Sequence, residues 1–294
     1  MTKRVSVARL SGRLGLHLFL ILMGFTFALP FFWVASTSLK LPGRVFTYPI
    51  EWIPRYPEWS NYRDIFTFVK AGGTEASGGQ SALLLWLRNT LYLTTMGTLG
   101  TLISSVVVAY SLSRLQWRGR DFVFSLTLIS MMLPGVVTLI PTFLIFRDLK
   151  WINTYLPLIV PYWTGGGAFY IFMLRQFFAT LPLELDEAAI VDGAGTFRIL
   201  WQILLPLAKP GLASVGIFSF LFHYNEFMGP LIYINSLDKY PISVGLRYVA
   251  GRYGDRWPQV MVMVMFSLVP VVILFFFTQK TFVQGIQTTG IAGR

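Results

Sequence analysis

The chain of 294 residues contains no cysteine and only two histidines, and 13% of its residues are charged. The lack of cysteine excludes a disulfide framework, a thiolate zinc site, an iron–sulfur cluster and a cysteine nucleophile, and two histidines leave little for a histidine-based metal site. A soluble domain carries about 25% charged residues. Because 54% of this chain is hydrophobic and its mean hydropathy is +0.61, the composition predicts a membrane protein.

Acidic residues are also scarce. Asp and Glu together number 13 against 24 for Lys and Arg, which gives a net charge of +11. The basic residues fall mostly between apolar runs, a pattern that suits anionic lipid headgroups better than nucleic acid. We therefore expect a lipid bilayer as a partner, and no nucleic acid.

Six apolar stretches are long enough to cross a bilayer core of about 30 Å as helices, because each helical residue rises about 1.5 Å. Their hydrophobicity is continuous rather than alternating, which favours helices over barrel strands. The predicted spans are 14–38, 84–112, 122–146, 156–178, 210–234 and 258–282. The predicted fold class is an all-α integral membrane protein with six transmembrane helices.

The distribution of basic residues predicts the orientation in the cell membrane. Residues 1–13 carry four basic residues and no acid, and the connection 113–121 carries three arginines. Cytoplasmic segments are enriched in Lys and Arg, so both termini are expected in the cytoplasm, although the outer connections also hold basic residues. The predicted division is a cytoplasmic leader at 1–13, a transmembrane domain at 14–282 with an outer loop at about 39–83 and a cytoplasmic loop at about 179–209, and a cytoplasmic tail at 283–294.

The cytoplasmic loop contains the sequence TLPLELDEAAIVDGAGTFRILWQILLPLAK, which is too long for a tight turn and too interrupted for a span. Three acids favour a helix N-terminus, Gly193 and Gly195 are expected to end that helix, and Thr196 is expected to cap a second one. A helix of about a dozen residues is about 18 Å long and must lie along the membrane surface. The pattern leaves open whether it docks into a groove of a cytoplasmic partner or only rests in the headgroups.

The residues of this loop resemble the EAA loop of permease subunits of ATP-binding-cassette importers. Glu187-Ala188-Ala189 is followed after three residues by Gly193, and after nine more by the sequence ILLP. The surrounding sequence FMLRQFFATLPLELDEAAIVDGAGTFRILWQILLPLAKPGL is similar to the maltose-type, carbohydrate-uptake branch. The segments STSLK, SNYRDIF, MLPGVVTLIPTFLIF and FLFHYNEFMGPL resemble the same branch elsewhere in the chain.

The resemblance implies a type I importer permease that is not itself an enzyme. The sequence agrees in having no G-x4-G-K-[ST] phosphate loop. It implies that ATP and Mg²⁺ are bound by two separate cytoplasmic ATPase subunits, and that this chain holds no cofactor and no metal. It also implies a second, usually different, permease subunit, an extracytoplasmic solute-binding protein, and a carbohydrate as the solute.

The resemblance further implies that a helix at about 183–194 is the coupling helix, which sits in a cleft of an ATPase subunit. The implied coupling residues are Glu187, Ala188, Ala189, Asp192 and Gly193. Glu187 is expected to make a charged or hydrogen-bonded contact, the two alanines to allow close packing, Gly193 to form the turn, and Asp192 to cap or pair locally.

A polar group of four residues, His223, Tyr224, Asn225 and Glu226, interrupts the fifth predicted span. A carboxylate inside a bilayer costs about 2.5–3.5 kcal/mol on insertion scales, so Glu226 should face protein or water. Two hypotheses stay open. The four residues line the substrate pathway or its gate, since such side chains bind sugar hydroxyls and rings, or Glu226 forms a structural ion pair with Arg88.

Two other classes of membrane protein compete with this interpretation. An ion-coupled secondary transporter predicts inverted repeats and a chain of intramembrane ionisable residues. A membrane-embedded glycosyl or lipid transferase predicts Asp, Glu or His clustered at a membrane face. The sequence offers one clear intramembrane acid and no related halves, and its cytoplasmic acids fit the coupling helix. We therefore predict a permease subunit of an ATP-driven, binding-protein-dependent sugar importer.

Overall fold

The computed structural model describes residues 7–69, 81–254 and 256–291, with side chains described for 13–69, 81–254 and 256–279. Residues 1–6 of the predicted leader and residues 292–294 of the predicted tail lie outside the described residues. Helices account for most of the described chain, which contains no β-strand. This confirms the all-α prediction.

The helices are numbered here in chain order. They are α1 (Val7–Ser38), α2 (Ser60–Phe68), α3 (Ala82–Ser113), α4 (Arg120–Met132), α5 (Gly135–Asp148), α6 (Leu156–Gly165), α7 (Ala168–Ala179), α8 (Glu184–Val191), α9 (Thr196–Leu207), α10 (Lys209–Tyr224), α11 (Met228–Tyr233), α12 (Ile242–Arg252) and α13 (Trp257–Ile291). Short 3-10 turns occur at Pro42–Arg44 and Leu237–Lys239, and α9 contains a π-helical turn at Leu200–Leu204.

Fewer helices cross a bilayer without interruption than the six predicted. By length and composition, α1, α3 and α13 qualify in the described chain, and the number rises to five if the bent pairs α4–α5 and α9–α10 each form one span. The bend between α4 and α5 is 101°, and it falls at Leu133 and Pro134. Proline lacks an N–H donor and pushes the preceding residue into an extended conformation, so the helix must stop there. The predicted fourth span consists of α6 and α7, which are separated at Gly166 and Gly167.

The chain divides into two compact units, and the larger comprises residues 71–245 and 269–294. Within it, α3 packs against α6, α7 and α10. A buried apolar cluster joins Ala109 of α3 to Phe178 of α7 and Leu204 of α9. The 32-residue helix α3 is therefore the element against which the rest of this unit is arranged.

The smaller unit comprises residues 1–70 and 246–268. Among the described side chains of its helix α1, at 13–38, most of the apolar ones are exposed, which is expected of a helix that faces lipid. Just beyond α1, the Asn61 side chain donates to the carbonyls of Ser38 at 3.0 Å and Lys40 at 2.9 Å. The Lys40 ammonium lies 4.2 Å from the centroid of the Trp33 ring, and burial lowers the pKa of this lysine. Asn61 thus joins the STSLK and SNYRDIF segments.

Candidate functional site

The predicted cytoplasmic loop folds as two helices joined by a tight turn at Gly193, which has a φ of 78°. The Ala194 N–H donates to the Ala189 carbonyl at 2.9 Å, and the Gly193 N–H donates to the Ile190 carbonyl at 3.0 Å. These two bonds form a Schellman motif, in which the residue after the helix is left-handed. Glycine suits this position because it has no Cβ to clash there.

The start of α9 differs from the sequence prediction. Gly195 occupies the N-cap position and no side chain caps the helix, whereas Thr196 is the first helical residue. The predicted capping role of Thr196 is therefore wrong. Instead, its backbone carbonyl accepts a hydrogen bond of 3.1 Å from the Tyr110 hydroxyl of α3.

The predicted coupling residues lie on different faces of this segment. Glu187, Ala188, Asp192 and Gly193 are exposed, whereas Ala189 is 7% exposed and belongs to the buried cluster of α3, α7 and α9. Only the first alanine of the pair is therefore available to another molecule. Asp192 is the C-cap residue of α8, and its carboxylate makes no hydrogen bond or ion pair with the described residues. Of the two predicted local roles of Asp192, the cap position is observed and the side-chain pairing is not.

Apolar side chains surround the exposed part of α8. Ile190 is 62% exposed, Val191 86% and, at the start of α9, Phe197 70%. Together with Glu187 and Ala188 they form a surface that the described chain leaves uncovered, which we call the α8 face. Exposed apolar side chains grouped in this way mark a contact with a second protein or with the membrane surface.

Sequence reasoning missed one residue of this site. Arg114 counted only as one of three arginines that set the orientation, but its buried guanidinium forms an ion pair of 3.3 Å with Asp186 in the first turn of α8. Nothing in the sequence separates Arg114 from Arg118 and Arg120, because the contact joins residues 72 positions apart.

A second candidate site is a cavity of about 250 Å³ in the larger unit. Two of the four predicted pathway residues, His223 and Glu226, line it. The remaining polar lining comes from hydroxyl groups, and four prolines contribute to the apolar wall. These residues are Thr90, Thr142, Tyr162, Tyr233, Pro157, Pro161, Pro230 and Pro241.

His223 is held by contacts from α3 and α6. Its Nε2 lies 3.3 Å from the Thr101 hydroxyl, and the Tyr162 ring meets it edge to face with 4.3 Å between ring centroids. The ring lies directly on Gly97, where a Cβ atom would come within 2.7 Å of the imidazole. Any larger residue at position 97 would displace the histidine, so α3 supplies the space that this side chain needs.

Glu226 has a local role that the sequence analysis did not foresee. Its Oε1 accepts a hydrogen bond of 2.8 Å from the Gly229 N–H in the first turn of α11. The three ion pairs among described residues involve Arg114, Arg120 and Arg147. The predicted pair of Glu226 with Arg88 is therefore wrong. Because α10 ends at Tyr224, Glu226 meets a new helix N-terminus, where free N–H groups and the helix dipole favour a carboxylate.

The other two predicted pathway residues do not line the cavity. Tyr224 is buried and stacks on Phe220, with 5.7 Å between ring centroids. Asn225 is exposed, and its amide donates to the Leu221 carbonyl one turn earlier at 2.8 Å. Of the polar group, only His223 and Glu226 share one site.

Residues 100–288 match the family described as binding-protein-dependent transport system inner membrane component. The chain belongs to this family. The permease class of ATP-binding-cassette importers predicted from the EAA resemblance is thereby confirmed, and the secondary-transporter and transferase alternatives are set aside.

Two curated relatives of this permease cover most of its length. The sulfoquinovosyl glycerol transport system permease protein SmoH of Agrobacterium fabrum is 30% identical over 90% of this chain and 88% of its own. The arabinooligosaccharides transport system permease protein AraQ of Bacillus subtilis is 30% identical over 96% of each chain. A crystal structure of a bacterial importer of the acidic polysaccharide alginate matches with a TM-score of 0.77 and 22% identity, over 95% of this chain and 99% of the other. This permease therefore shares the importer fold.

Proposed function

We propose that this permease is one of two transmembrane subunits of an ATP-driven importer for a carbohydrate, and that it forms half of the translocation pathway. Its second permease is a different chain, an extracytoplasmic binding protein delivers the solute, and both termini lie in the cytoplasm. The solute class is supported by the relatives, since SmoH and AraQ are named for a glycosyl glycerol and for oligosaccharides.

The observation that carries this proposal is the uncovered α8 face. Two cytoplasmic ATPase subunits bind ATP and Mg²⁺, and one of them receives α8 in a cleft. Glu187 contacts the cleft by its charge, Ala188 allows close approach, and Val191 and Phe197 bury their apolar surface on docking. Burial of apolar area at about 25 cal/mol per Å² provides the attraction, and the acid fixes the register.

The cavity serves as part of the solute pathway or its gate. A sugar presents hydroxyl groups and apolar ring faces, and the lining combines His223, Glu226 and several hydroxyls with proline and aromatic walls. Because Oε1 of Glu226 is occupied by Gly229, its second carboxylate oxygen is the one that can accept from a solute hydroxyl.

Uptake by proteoliposomes tests the proposed class. The complete complex should accumulate the sugar retained by the cognate binding protein only when ATP is enclosed with the ATPase subunits. Omission of either permease should abolish accumulation. Uptake driven by an ion gradient without ATP, or conversion of the sugar to a modified product, would contradict the proposal.

The docking face can be tested directly, since the chain has no cysteine of its own. Ala188→Cys should cross-link to a cysteine in the ATPase cleft. The matched control is Ala189→Cys, one residue along the same helix, which should not cross-link because it faces the core of its own chain. Equal cross-linking at both positions, or at neither, would refute docking through the α8 face.

A further inference from the structure

We propose that Arg114 is the positioning residue that fastens the coupling helix to α3, so that a displacement of α8 moves α3 with it. This inference rests on the proposed function, because it concerns how the docked helix passes on the motion of the ATPase. It assigns a role in coupling to a residue that itself has no place on the α8 face.

A single guanidinium binds three consecutive parts of the chain. Its Nη2 donates to the carbonyls of Phe178, in the last turn of α7, and Leu181, in the connection, the latter at 2.7 Å. Its Nη1 lies 3.3 Å from the Asp186 carboxylate in the first turn of α8 and 3.4 Å from the Pro182 carbonyl. The Arg114 side chain is only 2% exposed, so these contacts are shielded from solvent.

The chemistry of these contacts requires arginine. The last carbonyls of a helix have no partner within that helix and lie at the negative end of its dipole. A planar guanidinium with five N–H donors can bind several such carbonyls and a carboxylate at once, whereas a lysine ammonium is a compact point charge. Arg114 leaves α3 at its C-cap, directly opposite these acceptors.

The other end of the coupling helix is also bound to α3. Tyr110, one turn before Arg114, donates its hydroxyl to the Thr196 carbonyl at the start of α9. Between these two attachments, Ala189 packs into the buried cluster that includes Tyr110. The entry to α8, its inner face and its exit are therefore all held by one short stretch of α3, whereas the α8 face remains uncovered.

This arrangement decides where a force on α8 is transmitted. With Arg114 in place, α8 cannot move relative to α3 without breaking charge-assisted hydrogen bonds in a buried site. Without it, the 180–183 connection has lost the guanidinium that binds its carbonyls and can bend. ATP-driven movement of α8 would then be absorbed in the connection instead of reaching the membrane helices.

Arg118 offers a matched control. It lies in the same connection and carries the same charge, but its side chain is exposed and forms none of the ion pairs in the described chain. Arg118→Ala therefore removes one positive charge from the same segment while it leaves the α7–α8 contacts intact.

The test measures the number of solute molecules imported per ATP hydrolysed by the reconstituted complex. For Arg114→Ala we expect continued ATP hydrolysis and a ratio lowered about tenfold, within the usual range for coupling between sites. Arg114→Lys should give an intermediate ratio, and Arg118→Ala should match the wild type. A wild-type ratio in the assembled Arg114→Ala complex would overturn the proposal. This holds even if less complex assembles, because the ratio is measured per ATP hydrolysed.

A second measurement covers a variant that fails to assemble. Asp186→Asn removes the charge but leaves the carbonyl contacts, and should lower the ratio by a smaller factor than the roughly tenfold expected for Arg114→Ala. A nitroxide on Val191→Cys, at a position of α8 that is 86% exposed, should become more mobile in the isolated permease when Arg114→Lys is added. An unchanged spectrum together with an unchanged Asp186→Asn ratio would overturn the proposal.

These outcomes are distinct from failure of the proposed function. If the wild-type complex imports solute without ATP, the proposed function is wrong. If wild-type import depends on ATP and the Arg114→Ala ratio is unchanged, only the role of Arg114 is wrong.

Discussion

The two ends of α3 hold neighbouring segments in different ways. At one end, Trp86, Asn89 and Thr90 bind the backbone of residues 237–242 through neutral hydrogen bonds of 2.7, 2.8, 3.1 and 2.8 Å. These three side chains are buried, and among the residues they hold Ile242 is buried as well. At the other end, the charged Arg114 binds carbonyls and a carboxylate, and the segment it holds leaves apolar surface uncovered.

The difference lies in how much of each bound segment is covered by contacts within this chain. At the Trp86 end, the carbonyls of residues 237, 238 and 240 and the N–H of Ile242 are bound within the chain, as expected of a fixed structural connection. At the Arg114 end, the inner side of the loop is hydrogen-bonded to α3, and the α8 face on its outer side has no covering contact within the described chain. The proposed docking of an ATPase subunit uses this uncovered side, while the inner side is attached to α3.

The largest loss of stability is expected when the indole of Trp86 is removed from its end of α3. Trp86 is fully buried, and its Nε1 donates to the Leu237 carbonyl. Trp86→Ala should lower the free energy of unfolding by about 3–5 kcal/mol, because it creates a cavity and removes the indole hydrogen bond to the Leu237 carbonyl. Chemical unfolding in detergent, followed by circular dichroism, measures this change.

Trp201→Ala is the control for that measurement, since this tryptophan is 57% exposed on α9. We expect a change within about 0.5 kcal/mol there. Similar losses for both tryptophans would contradict the view that the Trp86 end is a closed, tightly packed site.

At the Arg114 end of α3, the next largest effect is expected from a substitution in the turn at Gly193. Gly193→Val places a β-branched residue at a φ of 78°, which costs about 1–2 kcal/mol. We expect the helices to remain folded while ATP-dependent uptake is lost, because α8 can no longer keep its orientation. Thermal unfolding and proteoliposome uptake, measured on the same preparation, separate the two effects.

Gly195→Val is the matched control for the turn. Gly195 has an ordinary φ of −75°, and a Cβ atom there would meet nothing within 4 Å. This variant should retain uptake and stability. Full uptake by Gly193→Val would show that the turn geometry is dispensable for coupling.

The smallest effect is expected from neutralising Glu226. This variant tests whether the carboxylate charge contributes to stability near the Trp86 end of α3. Glu226→Gln keeps an oxygen that can accept from the Gly229 N–H, so only the dipole interaction of about 0.3–1 kcal/mol is lost. Glu226→Ala also removes the acceptor and should destabilise the protein more. Equal unfolding free energies for the two variants would indicate that the carboxylate does not act as a cap.

Local features of α8 and of the turn after it were predictable from their residues. The glycine at 193 and the acids before it define a short helix and a turn, because left-handed backbone and helix-dipole preferences act within one or two turns of chain. The direction of Ala189 was not predictable, since both alanines have the same side chain and only packing against α3 distinguishes them. The predicted ion pair of Glu226 was wrong for a related reason, because the partner of this carboxylate depends on where α10 ends.

The bend at Pro134 was only partly predictable from the sequence. Proline predicts an interruption of the helix there, but the 101° angle between α4 and α5 follows from packing that a single sequence does not specify.

The sequence by itself determined that the chain is helical and membrane-embedded, that its spans fall on particular apolar stretches, and that an EAA-type loop interrupts them. Hydropathy, helix termini and motif spacing are properties of residues close together in the chain. Only the tertiary structure decided that Arg114 binds the first turn of α8, that one alanine of the EAA motif faces inward, and that His223 and Glu226 share a cavity. These are contacts between residues far apart in sequence, and their free energy exists only once α3 brings the partners together.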